Sequence, residues 1–305
     1  MALAGRRAEP SRHGTAITLS THLDNPAALA ILVPVRNDGI AAAVEQILTE
    51  GITARRQAFT IEWVDEMRED IEAAFAEASP RPGGAVPRGP ERYYVEIHPQ
   101  QFRGFVDVMT HPWVTGVCAA VLGPDWKAVE LGFDIPFDGA MGQRWHRDFP
   151  SPAETYEGRR LTSLAFNLTA VDTTEAMGPL DVALGTQWEP GLDFENGMFP
   201  RREEAHRYEA LAARKYAQRG DISARSALTI HRGTPNRSGT SRPVLVLGVD
   251  GPGAGHDALH DPMATPEYWT TMPEEVRRHL HCRVVDKLVP IVQKHQIDGL
   301  IQPEY

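Results

Sequence analysis

The chain has 305 residues, with 31 Lys+Arg against 41 Asp+Glu, a formal net charge of −10 and a hydrophobic share of 42%. That share excludes wholesale disorder, and the acidic balance speaks against a general nucleic-acid binder, which needs a dense positive patch. Two cysteines, Cys118 and Cys282, exclude a disulfide scaffold, and no run nears the ~18 apolar residues of a membrane span. With no secretion signal read at the N-terminus, the expectation is a cytoplasmic protein without membrane association.

The first 30 residues are polar and without period, and 31–35 read as a short strand with an edge proline. Helical spacing of Ile40, Ala43, Val44 and Ile47 predicts a helix over 39–50. Met67, Ile71 and Phe75, four apart, predict a second over 63–78. Prolines and glycines make 79–90 a loop, and 102–122 reads as one apolar helix stopped by Gly123-Pro124. Then the texture changes. The segments 129–137, 162–168, 180–184, 226–230 and 243–249 are short, apolar and bounded by turn residues, which is a strand signal. A charged stretch over 188–219, helical over 203–218, interrupts them like an insertion. Residues 262–295 read as helical again. The expectation is one domain over 1–305. A mostly helical flank (1–124) precedes a β core (125–250), and a helical flank (251–305) follows it.

The chemistry concentrates in two stretches. In the first, His146 and Asp148 are two apart, so on a strand an imidazole and a carboxylate share a face. The second runs from Gly220-Asp221 through His231 to Arg242, where a return like that of a hairpin lets His231 and Arg242 face one cavity. Two His and one Asp with no fourth ligand suit non-haem Fe(II) with open positions. An arginine beside them offers a planar, two-pronged donor for a carboxylate. Arg237 competes for that role but sits in the loop, where a solvated charge is the ordinary reading.

These residues resemble the phytanoyl-CoA dioxygenase family of Fe(II)/2-oxoglutarate oxygenases. The matching features are Gln143-x-x-His146-x-Asp148, Asp172, Gly178-Pro179-Leu180 to Gly185-Thr186, Gly220-Asp221, His231, Asn236, Ser238 and Arg242. They cover residues 125–250; the two flanks carry no matching motif. The resemblance implies a double-stranded β-helix, a mainly β jelly-roll (cupin-like) barrel with flanking helices. It implies His146, Asp148 and His231 as iron ligands and Arg242 on the distal carboxylate of 2-oxoglutarate. Gln143 would help hold that co-substrate, with O2 as the other reactant. The expected activity is a dioxygenase oxidising, by default hydroxylating, a C–H bond of a small organic substrate in natural-product or small-molecule metabolism, with release of succinate and CO2. An acyl-CoA hydroxylase and a desaturating, epoxidising or ring-forming member stay open as alternatives. A non-catalytic or 2-oxoglutarate-independent cupin-like protein is the remote one. Asp148 fills the position that halogenases of this superfamily leave to halide, so no halogenation is expected.

Two departures stand out. Gly185-Thr186-Gln187 replaces a frequent Gly-Ser-His, and Gly233 stands where a Ser or Thr often follows the distal His. Thr229, on the side of His231, is the expected substitute for that hydroxyl. Asn236 reads equally as a turn residue and as a co-substrate contact. Phe149 and Trp188 are candidates to line the substrate pocket, while Trp145 and Cys118 read as packing. The partner is a small molecule, and the composition of the flanks does not decide between monomer and homodimer.

Overall fold

The computed structural model describes residues 38–294, 297, 299 and 300. All of them lie in the second of the two units into which the chain divides, Met1–Val35 and Arg36–Tyr305. The strand expected over 31–35 therefore falls outside the described residues.

The described strands are β1 (Ile52–Arg55), β2 (Ala85–Pro87), β3 (Arg92–Glu96), β4 (Lys127–Pro136), β5 (Ser163–Thr169) and β6 (Leu180–Ala183). They continue with β7 (Ala212–Lys215), β8 (Ile222–Ser226), β9 (His231–Gly233), β10 (Val244–Asp250), β11 (Met263–Ala264) and β12 (Arg283–Val284). The helices are α1 (Asp38–Glu50), α2 (Ile61–Ala78), α3 (Phe105–Thr110), α4 (Pro112–Leu122), α5 (Ala153–Gly158), α6 (Ala205–Leu211), α7 (Pro266–Thr271) and α8 (Glu274–Arg278).

Seven strands form one sheet in the order β1-β8-β5-β10-β4-β3-β2, and three form a second in the order β7-β6-β9. Pairing within both is antiparallel. Alternation along each strand gives the large sheet two different faces. Leu131, Phe133 and Ile135 of β4, Leu164, Phe166 and Leu168 of β5, and Leu245, Leu247 and Val249 of β10 join one apolar core with the helices. The residues between them point the other way: Glu130 and Asp134, Ala165, Asn167 and Thr169, and Val244 and Val246 all line a cavity. The mainly β jelly-roll expectation holds, with helices packed on the outer face of the large sheet.

Local chemistry explains the helices. Thr60 caps α2, its side chain accepting from the Trp63 N–H (3.3 Å). Val64, Met67, Ile71, Ala74 and Ala78 of that helix are buried at three- and four-residue intervals. The single helix expected over 102–122 is two. His111 precedes a proline, which disfavours the helical conformation. Its φ/ψ of −60/123 ends α3, and its side chain accepts from the Trp113 N–H to start α4.

Three other expectations change. The segment 226–230 is a buried turn rather than a strand, because Thr229 N–H closes on the Ser226 carbonyl (3.0 Å) and Leu228 N–H on the Ser226 hydroxyl (3.3 Å). The strands lie on either side of it, as β8 and β9. The helical reading of 203–218 holds only for α6, after which β7 pairs with β6, so the charged stretch contributes a strand to the second sheet. The helical reading of 262–295 reduces to α7 and α8 between the two-residue strands β11 and β12. Sequence reading also passed over β1, β2 and β3.

Candidate active site

β9 brings His231 to the inner wall of the second sheet. The segment carrying His146 lies alongside it, with His146 N–H to His231 O at 3.0 Å and the reverse bond at 2.8 Å. Asp148 N–H donates to the Ala227 carbonyl (2.9 Å), and Gln143 N–H to Gly233 O (2.9 Å). The buried turn at 226–230 thus fixes the other side of the site. As a result, one donor atom from each of His146, Asp148 and His231 lies within 4.8 Å of the others.

Each imidazole has its Nδ1 against a main-chain carbonyl: His146 against Arg144 O (2.8 Å) and His231 against Thr229 O (3.0 Å). A carbonyl only accepts, so Nδ1 carries the proton and Nε2 keeps its lone pair for the centre of the group. Burial pushes the His146 imidazolium down to about 4 and His231 well below its ordinary value, so both rings are neutral donors near pH 7. Burial alone would raise the Asp148 carboxyl. The Arg225 guanidinium beside it outweighs that and holds it well below the usual carboxylate range. Arg225 Nη2 donates to Asp148 Oδ2 at 2.8 Å, while Oδ1 faces His231 Nε2 at 3.4 Å. Two neutral nitrogens and one carboxylate oxygen, with no fourth His, Cys, Asp or Glu in the group among the described residues, fit a ferrous ion with open positions.

These groups open into a cavity of about 820 Å³ between the sheets. Arg242 lines it, is 6% exposed, and donates from Nε to the Met177 carbonyl (3.2 Å). It has no ion pair among the described residues. Burial, with the Arg92 charge adding to it, pushes its guanidinium down to about 10, against a smaller pull from Asp134. Gln143 also lines the cavity, its Oε1 accepting from Gly233 N–H (2.9 Å). Phe149 lines it too, stacked on His256 at 3.6 Å between centroids.

Three expected site residues lie elsewhere. The Thr229 hydroxyl donates to the Gly51 carbonyl (3.0 Å) behind the turn. Asn236 gives its amide hydrogens to Pro136 O (3.1 Å) and Thr240 O (2.8 Å), which organises the loop before β10. Trp188 donates to Leu48 O (3.0 Å). None of the three lines the cavity.

Sequence reading missed Arg225 and Arg92. Arg92 makes a two-pronged pair with Asp134 (2.9 and 2.6 Å) on the cavity wall. It also accounts for Gly233, because a Cβ at that position would collide with Arg92 Nη1 and crowd Gln143 Oε1. Arg225 sits in the largely buried strand Ile222–Ser226, where a charge needs a partner, but the sequence reading placed the strand at 226–230 and so left Arg225 outside it. A further cluster, Ser163, Asp250 and His256, has the residue types of a hydrolase triad. Ser163 Oγ and Asp250 Oδ1 both meet the same ring nitrogen of His256 (3.1 and 2.9 Å), so no relay across the ring exists there.

The sequence model of phytanoyl-CoA dioxygenase (PhyH) matches residues 48–244. The chain belongs to the phytanoyl-CoA dioxygenase family. It is therefore a non-haem iron, 2-oxoglutarate-dependent oxygenase, and the His146, Asp148 and His231 group is one that could hold the metal. No curated protein matches the chain. Solved structures of similar fold include AviO1 from Streptomyces viridochromogenes Tue57 (17% identity, TM-score 0.53), covering 70% of this chain and 96% of that one. The non-haem α-ketoglutarate-dependent carbocyclase SnoK from nogalamycin biosynthesis is also similar (15% identity, TM-score 0.56, 72% and 90% covered). So is the non-haem monooxygenase ThoJ in complex with Ni (20% identity, TM-score 0.51, 69% and 78% covered). Among the described residues of this phytanoyl-CoA dioxygenase relative, no helix is long and apolar enough to cross a membrane.

Proposed function

We propose that this family member oxidises, and by default hydroxylates, a C–H bond of a small organic substrate in natural-product or small-molecule metabolism. His146, Asp148 and His231 hold Fe(II), and Arg242 holds the distal carboxylate of 2-oxoglutarate. One observation carries this reading: a neutral His/His/carboxylate group and a buried, ion-pair-free guanidinium share one cavity. A guanidinium kept there without a counter-charge is costly unless a carboxylate arrives to pair with it. When bound, Fe(II), 2-oxoglutarate and O2 supply the oxidising power, the co-substrate leaving as succinate and CO2.

The chain's own residues do the rest. The Arg144 and Thr229 carbonyls set the tautomer and aim of the two imidazoles. Arg225 takes one Asp148 oxygen and leaves the other for the ion. Asp148 fills a position that halide would need, which disfavours halogenation. Gln143, anchored through its Oε1 on Gly233 N–H, lines the same cavity as Arg242. Phe149, next to Asp148 in the chain, adds an aromatic ring to the cavity wall. The natural-product setting is supported by the fold shared with SnoK, a carbocyclase of nogalamycin biosynthesis. An acyl-CoA substrate gains little support from the charged stretch. Arg214 is paired with Asp181 (2.8 Å) and Arg219 with Asp65 (3.0 Å), so neither is free for a string of phosphates.

The deciding measurement is anaerobic visible absorbance on metal-free protein, adding Fe(II) and then 2-oxoglutarate. Chelation of the co-substrate gives a weak charge-transfer band. The expected result is a band in the wild type that is absent in His146→Ala. In Arg242→Ala it should need on the order of 100-fold more 2-oxoglutarate, the cost of a charge-assisted pair. Bound iron with no band would refute the reading.

A further inference from the structure

The cavity carries more positive charge than iron and 2-oxoglutarate use. Eight Arg/Lys and four Asp/Glu line it, in a chain whose net charge is −10. Most of the cations are matched. Arg92 pairs with Asp134 (2.6 Å) and Arg225 with Asp148 (2.8 Å). Arg214 and Arg219 pair with carboxylates at Asp181 and Asp65. Arg88 lies over the Tyr94 ring (4.1 Å), whose hydroxyl donates to Glu130 (2.5 Å). Arg242 is matched by the co-substrate in the function proposed above.

Two cations remain, Arg56 and Lys215, neither with an ion pair among the described residues. They belong to the same end of the cavity. Arg56 directly follows β1, the edge of the large sheet, and Lys215 closes β7, the edge of the second sheet. Gln57 N–H to Asp221 Oδ1 (3.0 Å) and Phe59 N–H to Gly220 O (3.1 Å) continue the β1–β8 pairing, Arg55 opposite Ile222, onto residues 220–221, where the link leading from Lys215 and β7 enters β8. Asp221 makes no ion pair with Lys215 or Arg56 among the described residues, and its second oxygen accepts from Gln218 N–H (3.2 Å). Lys215 is half-buried, and its register partner Leu180 lines the cavity with it. Burial pushes its ammonium below the ordinary value, with Glu50 opposing in part. A desolvated cation on a cavity wall gains most from an anion that shares the same enclosure.

We propose that the primary substrate carries one anionic group, a carboxylate or a phosphate monoester, and that Lys215 and Arg56 receive it at the opening between β1 and β7. Two cations suit one such group and not a chain of them. This rests on the function proposed above, because it assigns Arg242 to the co-substrate.

The test uses the Fe(II)·2-oxoglutarate form of the full chain, without oxygen. Small carboxylates, phosphate monoesters, and neutral amide and alcohol counterparts of both are titrated against the charge-transfer band, which shifts when a molecule settles beside the iron. Anionic members should shift the band at concentrations at least about tenfold below their neutral counterparts. The carboxylate and phosphate arms show which oxyanion is meant. In the Lys215→Met/Arg56→Gln double variant that advantage should disappear, and in Lys215→Arg it should largely persist. Equal response to neutral members overturns the proposal. So does an anionic advantage that survives in the double variant, or no response to any anion up to about 10 mM. Loss of the band itself in the double variant would give these cations to 2-oxoglutarate and overturn it as well. No band in the wild type would instead be the failure of the iron and co-substrate reading.

Discussion

At the scale of single residues, the candidate site depends on groups outside the His146, Asp148 and His231 trio. Arg225 is 4% exposed and spends its charge on Asp148 Oδ2. Without it the carboxylate loses its orientation and its strongest counter-charge. Partners of this kind typically tune metal affinity by 10–100-fold. Arg225→Met should therefore weaken Ni(II) or Fe(II) binding by roughly that factor in calorimetric titration; unchanged affinity would show that Asp148 is held by the backbone alone. Gly233 follows the same logic. The space a side chain would occupy there is filled by Arg92 and Gln143, so the hydroxyl expected two residues beyond the distal His has no room. Thr229 could not replace it, because the turn that aims His231 also ties the Thr229 hydroxyl to Gly51.

At the scale of elements, the C-terminal part is clipped onto β3 by titratable groups. His260 Nδ1 lies 3.3 Å from Glu96 Oε1, both buried. Burial disfavours the imidazolium, but the bond to Glu96 and the charge of Glu130 outweigh it and raise its pKa. The raised value fixes the sign. The stabilisation is fully present below the unfolded value of about 6.5 and is lost as pH rises through the folded value. The loss of stability in His260→Gln, read as the difference from wild type in urea unfolding, should be larger at pH 6 than at pH 9. A loss of the same size at both pH values would refute the assignment. The broken helix at His111-Pro112 was readable in the sequence, since the proline stands in plain view. The apolar run around it concealed the break.

For the whole molecule, one face of the large sheet belongs to stability and the other to chemistry. Phe133 is fully buried between that sheet and the helices. Phe133→Ala should cost about 3–5 kcal/mol in urea unfolding while leaving the donor geometry of the site in place. Its neighbour Asp134 faces the cavity and pairs with the buried Arg92. Asp134→Asn should therefore both cost stability in urea unfolding, by leaving Arg92 without its counter-charge, and alter 2-oxoglutarate affinity through Arg92 and Arg242, read from the same absorbance titration. A collapse of metal binding in a folded Phe133→Ala protein would show that the two faces are coupled.

The sequence by itself determined the mainly β core and singled out His146, Asp148, His231 and Arg242, which the fold brings to one cavity. The His-x-Asp spacing and the alternation of β4, β5 and β10 are local patterns, and a strand's period of two converts them directly into faces. Its helical reading of the C-terminal flank failed, because short apolar segments without sustained period are indistinguishable as helix, strand or strap until they find partners. Only the tertiary structure decided which polar residues reach the cavity. Arg92 and Arg225 meet their carboxylates at sequence separations of 42 and 77, while Thr229 and Asn236 turn to backbone carbonyls that no local pattern announces. Ion pairing over such distances is set by strand order, and so is the residue of charge it leaves at Arg56 and Lys215.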